Sequence, residues 1–161
     1  MMKHLSLSTD SIDPTSLIKS ISDNSCGAVV TFFGITRADS NGNTVLHLYY
    51  EAHEPIAIRV MNDIADECQS TWPALKNLAI VHRLGVVPAG EISLGIAASS
   101  PHRSDALEAV RFILDAVKSR VPIWKKEVYA NRSGSCWKRN PECFWTAKDT
   151  DSGSCSTSAT E

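Results

Sequence analysis

Apolar and polar positions alternate along this chain in two rhythms, and the places where one gives way to the other mark out its elements. Lys3 to Ser8 alternates residue by residue, as a short strand does. Asp13-Pro14 then opens a helix carrying Leu17, Ile18 and Ile21, with Asp13 as N-cap and Pro14 in the first turn. Gly27 to Thr36 (Gly-Ala-Val-Val-Thr-Phe-Phe-Gly-Ile-Thr) is the strongest strand signal, and its nearly continuous apolar character predicts burial on both faces. Arg37 to Asn43 is turn-rich, so Val45 to Glu51 reads as the returning strand of a hairpin.

Between Pro55 and Trp72, Ile56, Val60, Ile64, Ala65 and Cys68 recur at helical spacing, and Pro73 predicts the helix end. Leu78–Leu84 and Glu91–Ala98 predict two strands joined by a turn through Gly85-Val-Val-Pro-Ala-Gly90. A third helix is expected over about Ser104 to Ser119, with Leu107, Val110, Leu114 and Val117 on its apolar face and Lys118 at its end. Ile123 to Ala130 predicts a last full strand, Ser133 to Ser135 a turn and Cys136-Trp137 a return. Thr146 to Glu161 lacks large apolar residues and is expected to be a disordered polar tail after a single domain over residues 1–145. This order, β-α-β-β-α-β-β-α-β, mixes hairpins with crossovers and predicts an α+β fold: a mixed, largely antiparallel sheet with packed helices. Neither a Gly-x-Gly-x-x-Gly turn nor a P-loop occurs, so nucleotide-cofactor folds are unsupported.

Composition adds bounds. A chain of 161 residues, 43% hydrophobic and 21% charged, is one ordinary globular domain in size. No apolar run approaches the roughly 18 residues of a membrane span, and Met-Met-Lys-His-Leu-Ser has no signal-peptide character, so a cytoplasmic location is expected. Five scattered cysteines (Cys26, Cys68, Cys136, Cys143, Cys155) without a Cys-x-x-Cys pair point to free thiols and to neither disulfides nor a metal site.

The net charge of -2 conceals an asymmetry: from Arg103 to Arg139 nine Lys/Arg face four Asp/Glu. Such a region attracts an anion, while the isoelectric point of about 6.2 argues against a dedicated nucleic-acid binder. The densest stretch is Lys118-Ser-Arg-Val-Pro-Ile-Trp-Lys-Lys-Glu127. Lys118 and Arg120 suit a helix C-terminus, which by itself explains two cations. Trp124 beside Lys125 predicts apolar cover for an ammonium, and a partly desolvated lysine becomes a usable nucleophile or acid/base. Arg37 follows a strand, and His102-Arg103 opens a helix whose spare N–H groups favour a phosphate. No nucleophilic triad stands out; His82-Arg83 reads as structural, His47 and His53 as sheet or surface histidines, and Trp72 and Trp137 as core or interface.

Gly27–Arg37, Leu48–Ala52, Val81–Gly85, Ser100–Arg103 and Lys118–Glu127 together resemble, in order and spacing, the motifs of the large, catalytic subunits of molybdopterin synthases, over residues 3 to 139. The resemblance implies an α/β hammerhead-like fold and a homodimer. It also implies a separate small ubiquitin-like sulfur carrier whose C-terminal Gly-Gly thiocarboxylate enters the pocket of each large subunit, giving a heterotetramer. The implied reaction converts cyclic pyranopterin monophosphate into molybdopterin by adding two dithiolene sulfurs, without a resident metal or cofactor. Position by position, Lys118 and Lys125 match the catalytic lysines. Ile35, Thr36, Arg37, His102, Arg103, Lys125, Lys126 and Glu127, with Lys118, match the substrate-contacting segments, which a dimer would assemble from two copies.

The chain departs from the family pattern at His53 and Ile56-Ala57, and after Asn140 it matches nothing. It ends Ala-Thr-Glu without Gly-Gly, so the sulfur carrier is expected to be another protein. The rival readings are a non-catalytic module holding the tail of a ubiquitin-like partner and an enzyme for another phosphorylated heterocycle.

Overall fold

Strands that alternate small with large apolar residues can be covered on both faces, and two such strands organise this molecule. The computed structural model describes residues 1–40 and 42–130 and the backbone of 135–138. Its elements are β1 (Met2–Ser8), α1 (Pro14–Ile21), β2 (Ala28–Ile35), β3 (Asp39–Ser40), β4 (Asn43–Ala52), α2 (Glu54–Thr71), β5 (Asn77–Arg83), β6 (Gly85–Pro88), β7 (Ile92–Ser100), α3 (Arg103–Arg120), β8 (Ile123–Tyr129) and β9 (Ser135–Lys138). They form an α+β fold in which the strands divide between two sheets. The first has the order β1-β5-β7-β2, parallel only between β1 and β5. The second has the order β3-β4-β8-β9, all antiparallel, with β6 also paired to β4.

β5 and β7 are the doubly buried strands. Leu78, Ile80, Ile96 and Ala98 pack under α2 and α3, with Met61, Ile64 and Ile113. Their neighbours Ala79 and Ala97 face α1, against Leu17 and Ile21. Small residues are needed there: a Cβ on Gly95 would lie 2.9 Å from the Leu17 side chain. α1 itself starts as expected, since the Asp13 carboxylate accepts from the Thr15 and Ser16 N–H groups at 3.1 and 3.0 Å. Trp72 packs against Phe112 with ring centroids 5.6 Å apart, and Arg120 joins α3 to α2 through Glu67.

Several expectations are corrected. β2 is an edge strand with Val29 and Ile35 exposed, because an unbroken apolar run signals a strand without saying how many sides are covered. Nor does it form a hairpin with β4: β2 pairs with β7, while the chain crosses to the second sheet. The tight pairing lies instead between β3 and the first residues of β4, where Gly42 takes φ 78°. Gly85–Pro88 is not a turn but a strand against His47–Tyr50; Gly85 at φ 71° pivots into it and Gly90 at φ 87° turns out of it. Pro88 is tolerated because it ends an edge strand.

The expected helical faces hold at Ile64, Ala65 and Cys68 in α2 and at Val110 and Val117 in α3, and fail only toward the helix starts. Ile56 and Leu107 are exposed, whereas Ala57 and Met61 in α2, and Ala106, Val110, Ile113 and Val117 in α3, are buried. α3 also begins at Arg103, with His102 as N-cap. β9 supplies the expected return in its backbone. The side chain of Trp137, residues 133 and 134 of the predicted turn, and the predicted tail lie outside the described residues.

Ile96 is fully buried between β5 and α3. Ile96→Ala is expected to lower the unfolding free energy by about 2–5 kcal/mol in urea titrations; a loss under about 1 kcal/mol would contradict this placement of the core.

Candidate active site

Pro122 builds the corner on which the site depends. A residue before proline is excluded from helical backbone, and Val121 is extended at φ -76°, ψ 126°. α3 therefore stops at Arg120, its end closed by the Val121 N–H donating to the Val117 carbonyl at 3.1 Å, and β8 begins at Ile123. Lys118 is thereby held in the last helical turn and Lys125 on the third residue of the strand. Both line a cavity of about 550 Å³ that opens between the two sheets.

Strand alternation sorts the rest of the decapeptide. Ile123, Lys125 and Glu127 line the cavity, and Trp124 and Lys126, one step out of phase, do not. Trp124 is 46% exposed, so it gives Lys125 no cover. Tyr50 is the register partner of Lys125 on β4, and Phe32 and Phe33 of β2 also line the cavity. Glu127 is only 6% exposed, and the Tyr129 hydroxyl donates to its Oε2 at 2.6 Å. Arg37 and Asp39 stand exposed beyond the end of β2 and line the cavity there.

Deeper, His82 of β5 and Tyr50 of β4 bring the two sheets together. Their rings meet edge to face, with centroids 4.8 Å apart and planes at 72°. His82 Nδ1 lies 2.9 Å from the Arg83 carbonyl oxygen. Burial holds the imidazole pKa down to about 4, so the ring is neutral at physiological pH. Burial also raises the Tyr50 phenol, against a hydrogen bond with Ser93. Ser93 Oγ donates in turn to the Gly34 carbonyl at 3.2 Å.

Of the residues singled out from sequence, one chain brings Ile35, Arg37, Lys118, Lys125 and Glu127 to this cavity. Thr36 is buried beside it; its N–H donates to the Glu91 carbonyl and its carbonyl accepts from Gly90, so it anchors the strand end. Lys126 projects from the other sheet face. His102 and Arg103 are exposed at the start of α3, and Arg103 is about 22 Å from Lys118 along the helix at 1.5 Å per residue. Among the described residues no group of three or more His, Cys, Asp or Glu is placed to hold a metal. Burial pushes the Cys68 thiol up to about 12, which makes it inert as a nucleophile.

A cavity whose walls carry two ammonium groups and a guanidinium against the carboxylates of Asp39 and Glu127 keeps an excess of cations, which suits an anionic guest and the stabilisation of a developing oxyanion. The family model described as MoaE protein matches residues 7–120. The chain belongs to this family. It is 45% identical over 151 residues to molybdopterin synthase catalytic subunit 1 of Aedes aegypti, covering 93% of this chain and 97% of that one. It is 35% identical to the solved molybdopterin synthase from Staphylococcus aureus, with a TM-score of 0.78, 83% of this chain and 95% of that one covered. A complex of subunits 1 and 2 of molybdopterin-converting factor from Helicobacter pylori, at 22% identity and a TM-score of 0.66, shares the fold over 81% of this chain and 86% of that one.

Within this MoaE-family fold, Tyr50, His82, Ser93 and the Phe32-Phe33 pair line the site although no residue-type argument singled them out. The signal was available, because Leu48–Ala52 and Val81–Gly85 are two of the blocks that carry the family resemblance. His82 is buried and held to the backbone, as a structural histidine is, and its ring also forms part of the cavity wall.

The buried neutral histidine has a thermodynamic consequence. Between about pH 4 and its ordinary value of 6.5, the unfolded chain binds a proton that the folded chain refuses. The stabilisation is complete above about pH 6.5 and is lost as the pH falls toward 4. From pH 7 to pH 5 the parent chain is expected to lose about 2 kcal/mol more unfolding free energy than His82→Gln, at roughly 1.4 kcal/mol per pH unit per proton. Urea titrations at the two pH values measure it, and equal losses would contradict a buried neutral His82.

Proposed function

We infer that this chain is the catalytic subunit of a molybdopterin synthase, a sulfurtransferase of molybdenum cofactor biosynthesis. It moves sulfur from the C-terminal thiocarboxylate of a small carrier subunit to cyclic pyranopterin monophosphate. The observation that carries this reading is the convergence of Lys118, Lys125 and Arg37 on one cavity in a chain of the MoaE family. The relatives' names add support, since a catalytic subunit presupposes a second kind of subunit. The reaction fits a cytoplasmic setting, and among the described residues no helix is long and apolar enough to cross a membrane. Residues 1–145 act as the single catalytic domain, and 146–161 lie outside its chemistry as a polar tail.

The chemistry follows from the walls of the cavity. Arg37 at the rim pairs with the phosphate of the substrate, leaving its ring system toward the aromatic interior. The thiocarboxylate sulfur is the nucleophile, and its attack on a substrate carbon drives negative charge onto oxygen. Lys118 and Lys125, approaching from helix and strand, stabilise that oxyanion or protonate the departing oxygen. Water then cleaves the carrier's acyl C–S bond, which releases the carrier as its carboxylate and leaves the sulfur on the substrate. Glu127, buried beside them, accepts the Tyr129 hydroxyl and fixes the strand face from which Lys125 reaches in.

His102 and Arg103 join the site from a second copy in the homodimer, because their own chain holds them a helix length away. On this reading the sheet face that carries Tyr49, Val86 and Trp124, all exposed in one chain, is available for self-association. Lys126 belongs to that face and does not touch the substrate of its own chain.

Two experiments test these roles. Lys118→Ala is expected to lower molybdopterin formation by at least about 100-fold while carrier affinity is retained. Unchanged turnover would remove Lys118 from the mechanism, whereas lost activity with retained binding excludes a module that merely holds the carrier. Mixing Lys118→Ala chains with Arg103→Ala chains is expected to restore activity, because each mixed dimer then contains one intact site. No recovery in dimers shown to have exchanged would place both residues in the same chain's site.

A further inference from the structure

His82 is a fixed group on the cavity wall that the sulfur-transfer chemistry leaves without a task. A carbonyl oxygen only accepts, so the His82 Nδ1 facing the Arg83 carbonyl carries the ring hydrogen and Nε2 carries the lone pair. Among the described residues nothing hydrogen-bonds Nε2, and it is not sealed away as Thr36 Oγ1 and Ser100 Oγ are. The ring cannot easily turn away: Nδ1 is tethered and Tyr50 presses edge-on at 4.8 Å. Ser93, beside the Tyr50 phenol, gives its own hydrogen to the Gly34 carbonyl.

Cationic donors (Arg37, Lys118, Lys125) and the carboxylates of Asp39 and Glu127 share the cavity wall, and His82 adds a neutral ring acceptor whose tautomer is fixed by its backbone contact. We propose that His82 is a specificity-determining residue whose Nε2 accepts a hydrogen bond from an N–H group of the fused heterocycle, seating the ring system with its phosphate toward Arg37. This assignment rests on the molybdopterin synthase reading and names the group that recognises the heterocycle itself. Reduced pterins carry several N–H donors, whereas a heterocycle presenting only acceptors on that edge would meet an unfilled lone pair and be rejected. Because the ring remains neutral well below pH 6.5, the acceptor persists through the physiological range.

The test uses the full-length chain and cyclic pyranopterin monophosphate as the probe. His82→Phe keeps the ring wedged against Tyr50 but removes the lone pair, and His82→Gln restores an acceptor near the position of Nε2. His82→Phe is expected to weaken pyranopterin binding roughly tenfold or more, raise KM rather than lower kcat, and leave carrier affinity unchanged, with His82→Gln recovering most of the loss. In the parent chain, the ¹⁵N resonance of His82 Nε2 is expected to shift toward the hydrogen-bonded range when the probe is added. Parental affinity in His82→Phe, equal losses in both variants, or an Nε2 resonance unmoved at saturation would each overturn the proposal. Failure of the parent chain to bind the probe at all would instead count against the synthase reading.

Discussion

Everything about this site depends on one backbone constraint, the exclusion of helical geometry at Val121 by the ring of Pro122. That exclusion ends α3 while Lys118 is still in its last turn and starts β8 in time for Lys125 to fall on its inward phase. Val121 is buried and anchors the corner in the core between α2, α3 and the first sheet. The two lysines are thus carried by the two arms of a single rigid bend, and neither belongs to a loop. A register shift of one residue in β8 would exchange Lys125 and Glu127 for Trp124 and Lys126 and dismantle the cavity wall.

The second sheet supplies what the corner cannot. β4 places Tyr50 opposite Lys125, and β6, pairing along the other edge of β4, leads straight out of β5 through Gly85. His82 and Tyr50 therefore meet where the two sheets approach each other, one ring from each. Packing and function coincide at this joint, since the contact that closes the sheets together is also the inner lining of the site.

Much of this was legible in the sequence, and what was missed has physical causes. Asp13-Pro14 as a helix start, the buried Val110 and Val117 of α3, and Lys118 in its last turn follow from local rules. The pairing of β2 with β7 does not, because an apolar run such as Ala28–Ile35 announces a strand without naming its partner. Gly85–Pro88 reads as a turn because glycine and proline are the usual residues of turns; only the presence of β4 beside it makes it a strand. Trp124 reads as cover for Lys125 because they are adjacent in sequence, yet adjacency in a strand places side chains on opposite faces. His82 required knowledge of the cavity itself, which no periodicity reports. The separation of His102 and Arg103 from the lysines is likewise a matter of helix length, and it makes the dimer a chemical requirement of the proposed mechanism.

On the proposed mechanism Lys118 and Lys125 face one bound substrate from the two arms of the Pro122 corner. The most direct test is a titration with cyclic pyranopterin monophosphate, followed by isotope-edited NMR of the lysine side chains of the full-length protein. The Lys118 and Lys125 signals are expected to shift together along one binding curve while those of Lys19 and Lys76 stay in place. A response from only one of the pair, or saturable binding that moves neither, would contradict the mechanism.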